Sequence, residues 1–291
     1  MALLLELRDF LQEKGICPRV NQVAGFGYLE VILKDDDLIR CILPLEIKAR
    51  TPEEAILESE KASQAVAGFG GMYAGLAKVM VVPQDRWIRQ REMMEARILA
   101  HLNIFSQVYA RNCVIRRIDQ ITAASFLAWN HSYGDASCRY RYGMFLKRHT
   151  GHNALEGQDL PAPETLVAVA TFSNARKWVK GDDIIRSYEW VRYASLPGVR
   201  VVGGMGRILN AFTVDLMPDD IMSYADLEWS EGEVYERLGF ELEGRKSPVM
   251  FMVDDQWRRH PVNEGMPVDA DVLYFRNFGS NKYRLKLTPY E

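Results

Sequence analysis

The chain has 291 residues, 48% hydrophobic and 26% charged, which excludes disorder and supplies enough apolar surface for one large or two ordinary domains. A formal net charge of −3 excludes a global field that recruits nucleic acid. No apolar run is long enough to span a bilayer, and four scattered cysteines without a CxxC pair exclude a zinc knuckle and a disulfide framework.

The opening MALLLELRDFLQEKG predicts a helix over 2–14. It has no basic n-region and no small-residue cleavage site, so a cytoplasmic, membrane-free protein is expected. YLEVIL (28–33) and IRCILPLEIKA (39–49) read as strands about an acidic turn, KDDD. TPEEAILESEKASQAV then opens a helix: Thr51 caps it, Pro52 suits its first turn, and Glu53 and Glu54 complement its dipole. AKVMVVP (77–83) is a buried strand, and RWIRQREMMEARILAHLNIF a helix. A domain boundary is placed near residue 112, giving an N-terminal α+β domain (1–112) and a second domain (113–291).

In the second domain CVIRRI reads as a strand and TAASFLAWNHS as a helix with Thr122 near its cap. YRYGMFLKR and TLVAVATFS flank a long loop, TGHNALEGQDLPAPE (150–164). SYEWVRYAS is a strand, and GVRVVGGMGRILNAF passes through a glycine turn into an amphipathic helix. DIMSYAD, SEGEVYERLG and FELEG read as strand, short helix and strand.

The glycine turn is the first chemical signal. Glycines permit close backbone approach and positive φ, while the first helical N–H groups lack partners and, with the dipole, favour a phosphate. Gly203, Gly204 and Gly206 would form that turn, with Arg207 adding charge. A tight turn that binds nothing has the same appearance. The absence of a following GKS or GKT excludes a P-loop.

The run SYEWVRYASLPGVRVVGGMGRILNAF, followed by DDIMSYADLEWSEGEVYERLGFELEG, resembles the GNAT acyltransferase superfamily over residues 113–260. VYERLGF (234–240) matches its Y-x-x-x-GF phrase. Within it, the S-Y-A-D phrase, the following G-x-V-Y, and Arg192 on the preceding strand resemble phage Mom-type DNA adenine-modification proteins and domains attached to phage homing endonucleases.

The resemblance implies a mixed, mostly antiparallel sheet flanked by helices, an acetyl-CoA or other acyl-CoA donor, and an amine acceptor, on a DNA base if the Mom likeness holds. It assigns the pantetheine to main chain around Val191, Tyr193 and Ala194, and the diphosphate to Gly203, Gly204, Gly206 and Arg207. It gives Tyr235 the protonation of the departing thiolate and Asp226 the acceptor amine. His131, in NHSYGD after the first helix, is a candidate base or a helix-end group. Arg192, Tyr133, Arg276 and Lys282 are candidates for nucleic acid or substrate, the last two from the basic run YFRNFGSNKYRLKL, which interleaves aromatics as phosphate-backbone sites do. Tyr133, Trp190 and Trp229 are available to stack on a flipped base. Starting at Arg200, the family's diphosphate pattern meets Met205 where a Gly or Ala belongs. A non-catalytic DNA-binding module with a degenerate GNAT fold, and an acyltransferase for a small-molecule or protein amine, therefore stay open.

In the first domain Glu46-x-Lys48 on a strand resembles half of the PD-(D/E)xK nuclease motif, with Glu30 or an aspartate of KDDD as the further acid for a divalent ion. An active nuclease, a degenerate nuclease-like fold and an unrelated α+β module are the alternatives.

Overall fold

The computed structural model describes residues 2–33, 38–73, 77–148, 161–180, 183–230, 232–263, 265, 268–269 and 271–289. The KDDD turn and most of the 150–164 loop lie outside them. The chain forms two compact units, each discontinuous in sequence. One comprises 1–102, 226–231 and 246–280, the other 103–225, 232–245 and 281–291. This differs from a single cut near residue 112, because two later stretches return to the first unit.

In chain order the elements begin with α1 (Ala2–Glu13), β1 (Arg19–Val23), β2 (Phe26–Leu33), β3 (Leu38–Leu45), α2 (Pro52–Met72) and β4 (Ala77–Pro83). Next come α3 (Gln84–Arg89), α4 (Arg91–His101), β5 (Ser106–Tyr109), β6 (Cys113–Arg117) and α5 (Gln120–Asn130). Then follow β7 (Tyr140–Leu146), β8 (Leu166–Phe172), β9 (Arg176–Lys180), β10 (Asp183–Ser195), β11 (Val199–Val202) and α6 (Gly204–Leu216). The chain closes with β12 (Asp220–Asp226), α7 (Glu233–Arg237), β13 (Glu241–Lys246), β14 (Met250–Val253), β15 (Arg259–Pro261), β16 (Leu273–Arg276) and β17 (Ser280–Lys286).

The first unit holds a sheet of order β1-β2-β3-β4, antiparallel except for the parallel β3–β4 pair that α2 connects. The Thr51 hydroxyl accepts the Glu54 amide at 3.2 Å, so α2 starts as its sequence dictates. Tyr28, Leu43, Phe69 and Val81 pack between helix and sheet. A small sheet, β15-β14-β16, explains the return of 246–280: Tyr274 packs with Ala49 and Ala55, and its amide donates to the Ala49 carbonyl at 2.9 Å. The helix expected from Arg86 onward is two helices, broken at Gln90 (φ −124°, ψ 43°). No described helix is long and apolar enough to cross a membrane.

The second unit is a mixed, mostly antiparallel sheet of order β13-β17-β12-β10-β8-β7-β6, with β9 folded onto β10. The parallel pair is β10–β12, and β11 pairs in parallel with β5 outside this sheet. That second pairing draws residues 106–109 into the unit. On one face α6 inserts Ile208 and Phe212 against Phe172, Tyr188 and Trp190, and the Phe212 and Phe172 rings stack at 3.9 Å. On the other, α5 sets Ala123, Phe126 and Leu127 against Val169 and Ala194. The cap of α5 is Asp119, whose carboxylate accepts the Thr122 amide at 2.7 Å.

Candidate functional site

The site is built where β10 and β12 part. Their register runs from Ser187↔Asp220 to Trp190↔Ser223 and then stops, although both strands continue. The paired end is fastened by Arg284, which donates to Asp220 at 2.8 Å, and by the Ser187 hydroxyl on the same carboxylate. The other end opens as β10 bulges between Trp190 and Arg192. Among the described residues, β10 beyond the bulge pairs with β8 alone. Leu196 N–H donates to the Val167 carbonyl at 3.0 Å, which fixes the phase of that ladder. By its alternation the main chain of Ala194 faces β8, whereas that of Tyr193 and Ser195 faces the gap. Of Tyr193 and Ala194, only Tyr193 has its main chain on the side of the gap, and Ala194 does not offer its amide there. Val191 is the bulged residue, and its carbonyl accepts Arg192 Nη1 at 3.0 Å.

The glycine turn stands beside this gap. Gly203 caps α6 in the left-handed region (φ 74°), and a Cβ on Gly204 would lie 2.8 Å from the Tyr193 hydroxyl. At Gly206 a Cβ would meet Leu238 at 3.3 Å. Among the described residues no acceptor takes the N–H groups of Gly204, Met205 or Gly206. Main-chain N–H supplies the turn's polarity, so Met205 removes none of it. Arg207 is occupied differently from the expectation. Its Nη1 donates to the carbonyls of Ala110 and, at 3.2 Å, Cys113, tying α6 to the start of β6.

At the fork sits Tyr235, half-buried, stacked on Tyr283 and edge-on to Trp190. Its hydroxyl lies 2.8 Å from Ser223 Oγ, which is 2.9 Å from the Trp190 carbonyl. Burial raises the Tyr235 pKa against the opposing Ser223 contact, so the phenol keeps its proton at neutral pH. Ser223, unremarked in the sequence, was legible only as part of the S-Y-A-D phrase.

The other candidates have local work. Asp226 belongs to the first unit and caps its own turn: Oδ1 accepts Glu228 N–H at 3.0 Å, and its carbonyl accepts Trp229 N–H at 2.8 Å. His131 closes α5, its Nδ1 accepting Tyr133 N–H at 3.2 Å. Arg192 reaches the loop after α5, donating to the Gly134 carbonyl at 3.1 Å and lying 5.8 Å over the Tyr133 ring. Trp190 is a core residue, and Trp229 is covered by the Arg97 guanidinium at 3.2 Å. Tyr133 is exposed.

The C-terminal basic run is largely neutralised within its own units. Arg276 faces Glu60 at 3.5 Å, and Lys282 faces Glu243 at 2.7 Å. Arg284 spans Glu243 and Asp220, both at 2.8 Å.

Glu30 and Glu46 do not assemble, and the KDDD aspartates lie outside the described residues. Glu30 pairs in register with Cys41, five positions before Glu46, roughly 16 Å of extended chain. Continuing that register puts Gly25 opposite Glu46, where no carboxylate exists. Glu30 accepts the Tyr73 hydroxyl and Asn21 Nδ2, while Glu46 binds Lys48 at 2.5 Å and the Leu3 amide at 3.2 Å. Burial acts to raise the Glu46 carboxyl, but these hydrogen bonds hold it at about 2. Among the described residues no group of three or more His, Cys, Asp or Glu is placed to hold a metal ion.

No family model matches the sequence, and no curated protein matches it. Among solved structures the chain is similar to a Bacillus subtilis acetyltransferase in complex with CoA, at 12% identity and a TM-score of 0.36, covering 60% of this chain and 99% of that one. It is also similar to the Vibrio cholerae spermidine N-acetyltransferase in complex with CoA and spermine, at 11% identity and a TM-score of 0.37, covering 60% and 96%. A third is the Escherichia coli ribosomal-protein-S18-alanine N-acetyltransferase, at 11% identity and a TM-score of 0.34, covering 62% and 96%.

Proposed function

We propose that the second unit is an acyl-CoA-dependent N-acyltransferase. The observation that carries this reading is the fork itself: β10 and β12 separate after Trp190 and Ser223, beside three unclaimed amides at the start of α6. The open main chain of Tyr193 and Ser195 offers partners to the amides of a pantetheine arm. The N–H groups of Gly204, Met205 and Gly206, with the helix dipole, suit a diphosphate. Close packing at Gly204 holds that backbone against Tyr193. Bound there, acyl-CoA supplies an acyl carbon activated as a thioester.

Tyr235 holds a proton at the fork and is assigned as its donor to the leaving sulfur. In balance, a C–N bond forms and a C–S bond breaks. The acceptor ammonium gives up two protons, one to water and one that is accounted for at the thiol.

For the acceptor, a small-molecule amine is the reading the side chains favour over a nucleic-acid base. Arg276, Lys282 and Arg284 face carboxylates, and Trp190 is buried in the core. No charged stripe is left by these residues for a phosphate backbone.

Calorimetric titration of the full chain with acetyl-CoA tests the proposal. Binding is expected at micromolar concentration and is expected to disappear in Gly204→Asp, which brings a carboxylate to the turn. Absence of heat with the parent protein at millimolar acetyl-CoA overturns it and leaves a non-catalytic module. An amine panel with Ellman detection of released thiol then assigns the acceptor, with oligonucleotides as the comparison arm.

A further inference from the structure

Three buried polar atoms in the second unit are short of partners: Asp135 Oδ1 and Arg141 Nε have none, and Thr171 Oγ1 has only the weakly hydrogen-bonding thiol of Cys138. The sheet register explains their meeting. Thr171 on β8 stands opposite Arg141 on β7 and Arg192 on β10, so the three form one row across three strands. Alternation puts that row on the face α5 covers, next to Val169 and Ala194. The loop after α5 meets this row, with Arg192 Nε on the Gly134 carbonyl and Asp135 following. The buried thiol of Cys138 reports how close these groups are. Burial raises its pKa, a hydrogen-bonding contact with Thr171 and the charges of Arg141 and Arg192 act against that rise, and the Asp135 carboxylate adds to it.

Two guanidinium groups and one carboxylate act on the Cys138 thiol, and no ion pair within 4 Å joins Asp135 to either arginine; Arg192 gives Nε and Nη1 to the Gly134 and Val191 carbonyls. Thr171 is wholly buried. Leaving such groups unpaired costs about 1–3 kcal/mol apiece. The excess positive charge calls for an anion, and the Thr171 hydroxyl and Arg141 Nε–H are donors suited to it. Asp135 Oδ1 is an acceptor that calls for a donor, best a cation. A carboxylate and an ammonium on one small molecule meet both demands. The row begins two residues beyond Trp190, whose carbonyl marks the fork.

We propose that Arg141, Thr171, Arg192 and Asp135 form the binding site for an amine that carries a carboxylate, the carboxylate held by the row and the ammonium by Asp135. This rests on the acyltransfer reading, in which that molecule is the acceptor.

The test uses the full chain without CoA. The twenty free L-amino acids, β-alanine and 4-aminobutyrate are titrated one at a time by calorimetry. Cadaverine, phenethylamine and tryptamine serve as the decarboxylated partners of lysine, phenylalanine and tryptophan. At least one amino acid is expected to bind, and amines without a carboxylate are expected not to. Thr171→Val, which keeps the side-chain shape, and Asp135→Asn, on a loop, are each expected to weaken that binding about tenfold or more. The same variants should bind acetyl-CoA as the parent does. Equal binding of decarboxylated amines, unchanged affinity in both variants, or no binding by any amino acid overturns the proposal, the last meaning a water-filled pocket. Loss of acetyl-CoA binding in the parent with amino-acid binding retained would instead remove the transferase reading and leave the pocket standing.

Discussion

The hydroxyl of Tyr235 lies 2.8 Å from the hydroxyl of Ser223, where β10 and β12 separate. Ser223 is also 2.9 Å from the Trp190 carbonyl, which can only accept. One serine proton cannot serve both neighbours. The Ser223 hydroxyl has two acceptors in reach, the Trp190 carbonyl and the Tyr235 phenol oxygen, and its donation to the phenol opposes the rise that burial gives the Tyr235 pKa. The phenol's own proton is therefore not committed to Ser223.

Tyr235→Phe is therefore expected to leave acetyl-CoA affinity near that of the parent and to lower kcat about a hundredfold or more. Ser223→Ala, which removes the donor to the phenol oxygen, is expected to lower it by about tenfold. Thiol release under saturating acetyl-CoA measures both. If Tyr235→Phe loses affinity and stability together, the tyrosine only supports the aromatic packing of Tyr283 and Phe240.

The two glycines at the start of α6 make opposite demands. Gly203 has φ 74°, and the nearest atom to an added Cβ is Ala110 Cβ at 3.9 Å, so Gly203→Ala is penalised by conformation alone, by about 1–2 kcal/mol. Gly204 has its added Cβ 2.8 Å from Tyr193 Oη and 3.0 Å from Val201 Cγ1. Gly204→Ala must push Tyr193 aside, at about 1–3 kcal/mol, and shifts the strand that borders the gap. Thermal denaturation should show both losses, whereas acetyl-CoA titration should show a clear loss of affinity only for Gly204→Ala. Equal affinity losses would mean that the turn conformation, not the Tyr193 contact, shapes the site.

Local pattern carried much of this fold. DIMSYAD is β12, AKVMVVP is β4, and Thr51 caps α2, because alternation, apolar runs and caps are properties of a few adjacent residues. β1 (RVNQV) and β9 (RKWVK) were not legible, since edge strands this polar resemble loops until a partner is known. The return of 246–280 to the first unit depends on Tyr274 meeting Ala49 and Ala55, more than 200 residues apart in sequence. The same distance hid the fate of the charged candidates. Arg207 reads as a free cation beside a glycine turn until the carbonyls of Ala110 and Cys113 are seen beneath it. Lys282 and Arg284 read as a basic patch until Glu243 and Asp220 arrive from other strands. The pairing that ends at Trp190 and Ser223 is likewise a tertiary fact.

Glu243 predicts the acid response of the second unit. Arg284 first, and Lys282 with it, hold its carboxyl at about 2 in place of 4.5. A depressed folded pKa means the unfolded chain binds the proton more readily. The contribution is complete above the ordinary value of 4.5 and is lost as pH falls toward 2. The side chain is 38% exposed, and solvent screening limits the effect to about 1 kcal/mol or less. Glu243→Gln is expected to melt below the parent at pH 7 and to converge with it near pH 2, followed by circular dichroism across that range. A constant difference at all pH values would assign the loss to packing.

The first unit depends on a different charge group. Arg259 is bonded to Asp85 through two contacts of 2.6 and 3.0 Å and to Glu228 at 2.8 Å, with all three side chains almost fully buried. Burial works to lower the arginine pKa, but the two carboxylates overcome it and raise it, so the cation is permanent. Glu228 is raised by burial and opposed by Arg259. Removing the cation takes from both buried carboxylates their bonded partner, leaving Glu228 only the more distant charges of Arg86 and Arg97. Arg259→Met is therefore expected to cost about 3–5 kcal/mol in the urea transition of this unit. Adding Asp85→Asn and Glu228→Gln to that variant removes the stranded charges and should recover a large part of the loss. No recovery in the triple variant would show that Arg259 acts through its stacking on Phe275, 4.2 Å from the ring centre, and not through the carboxylates.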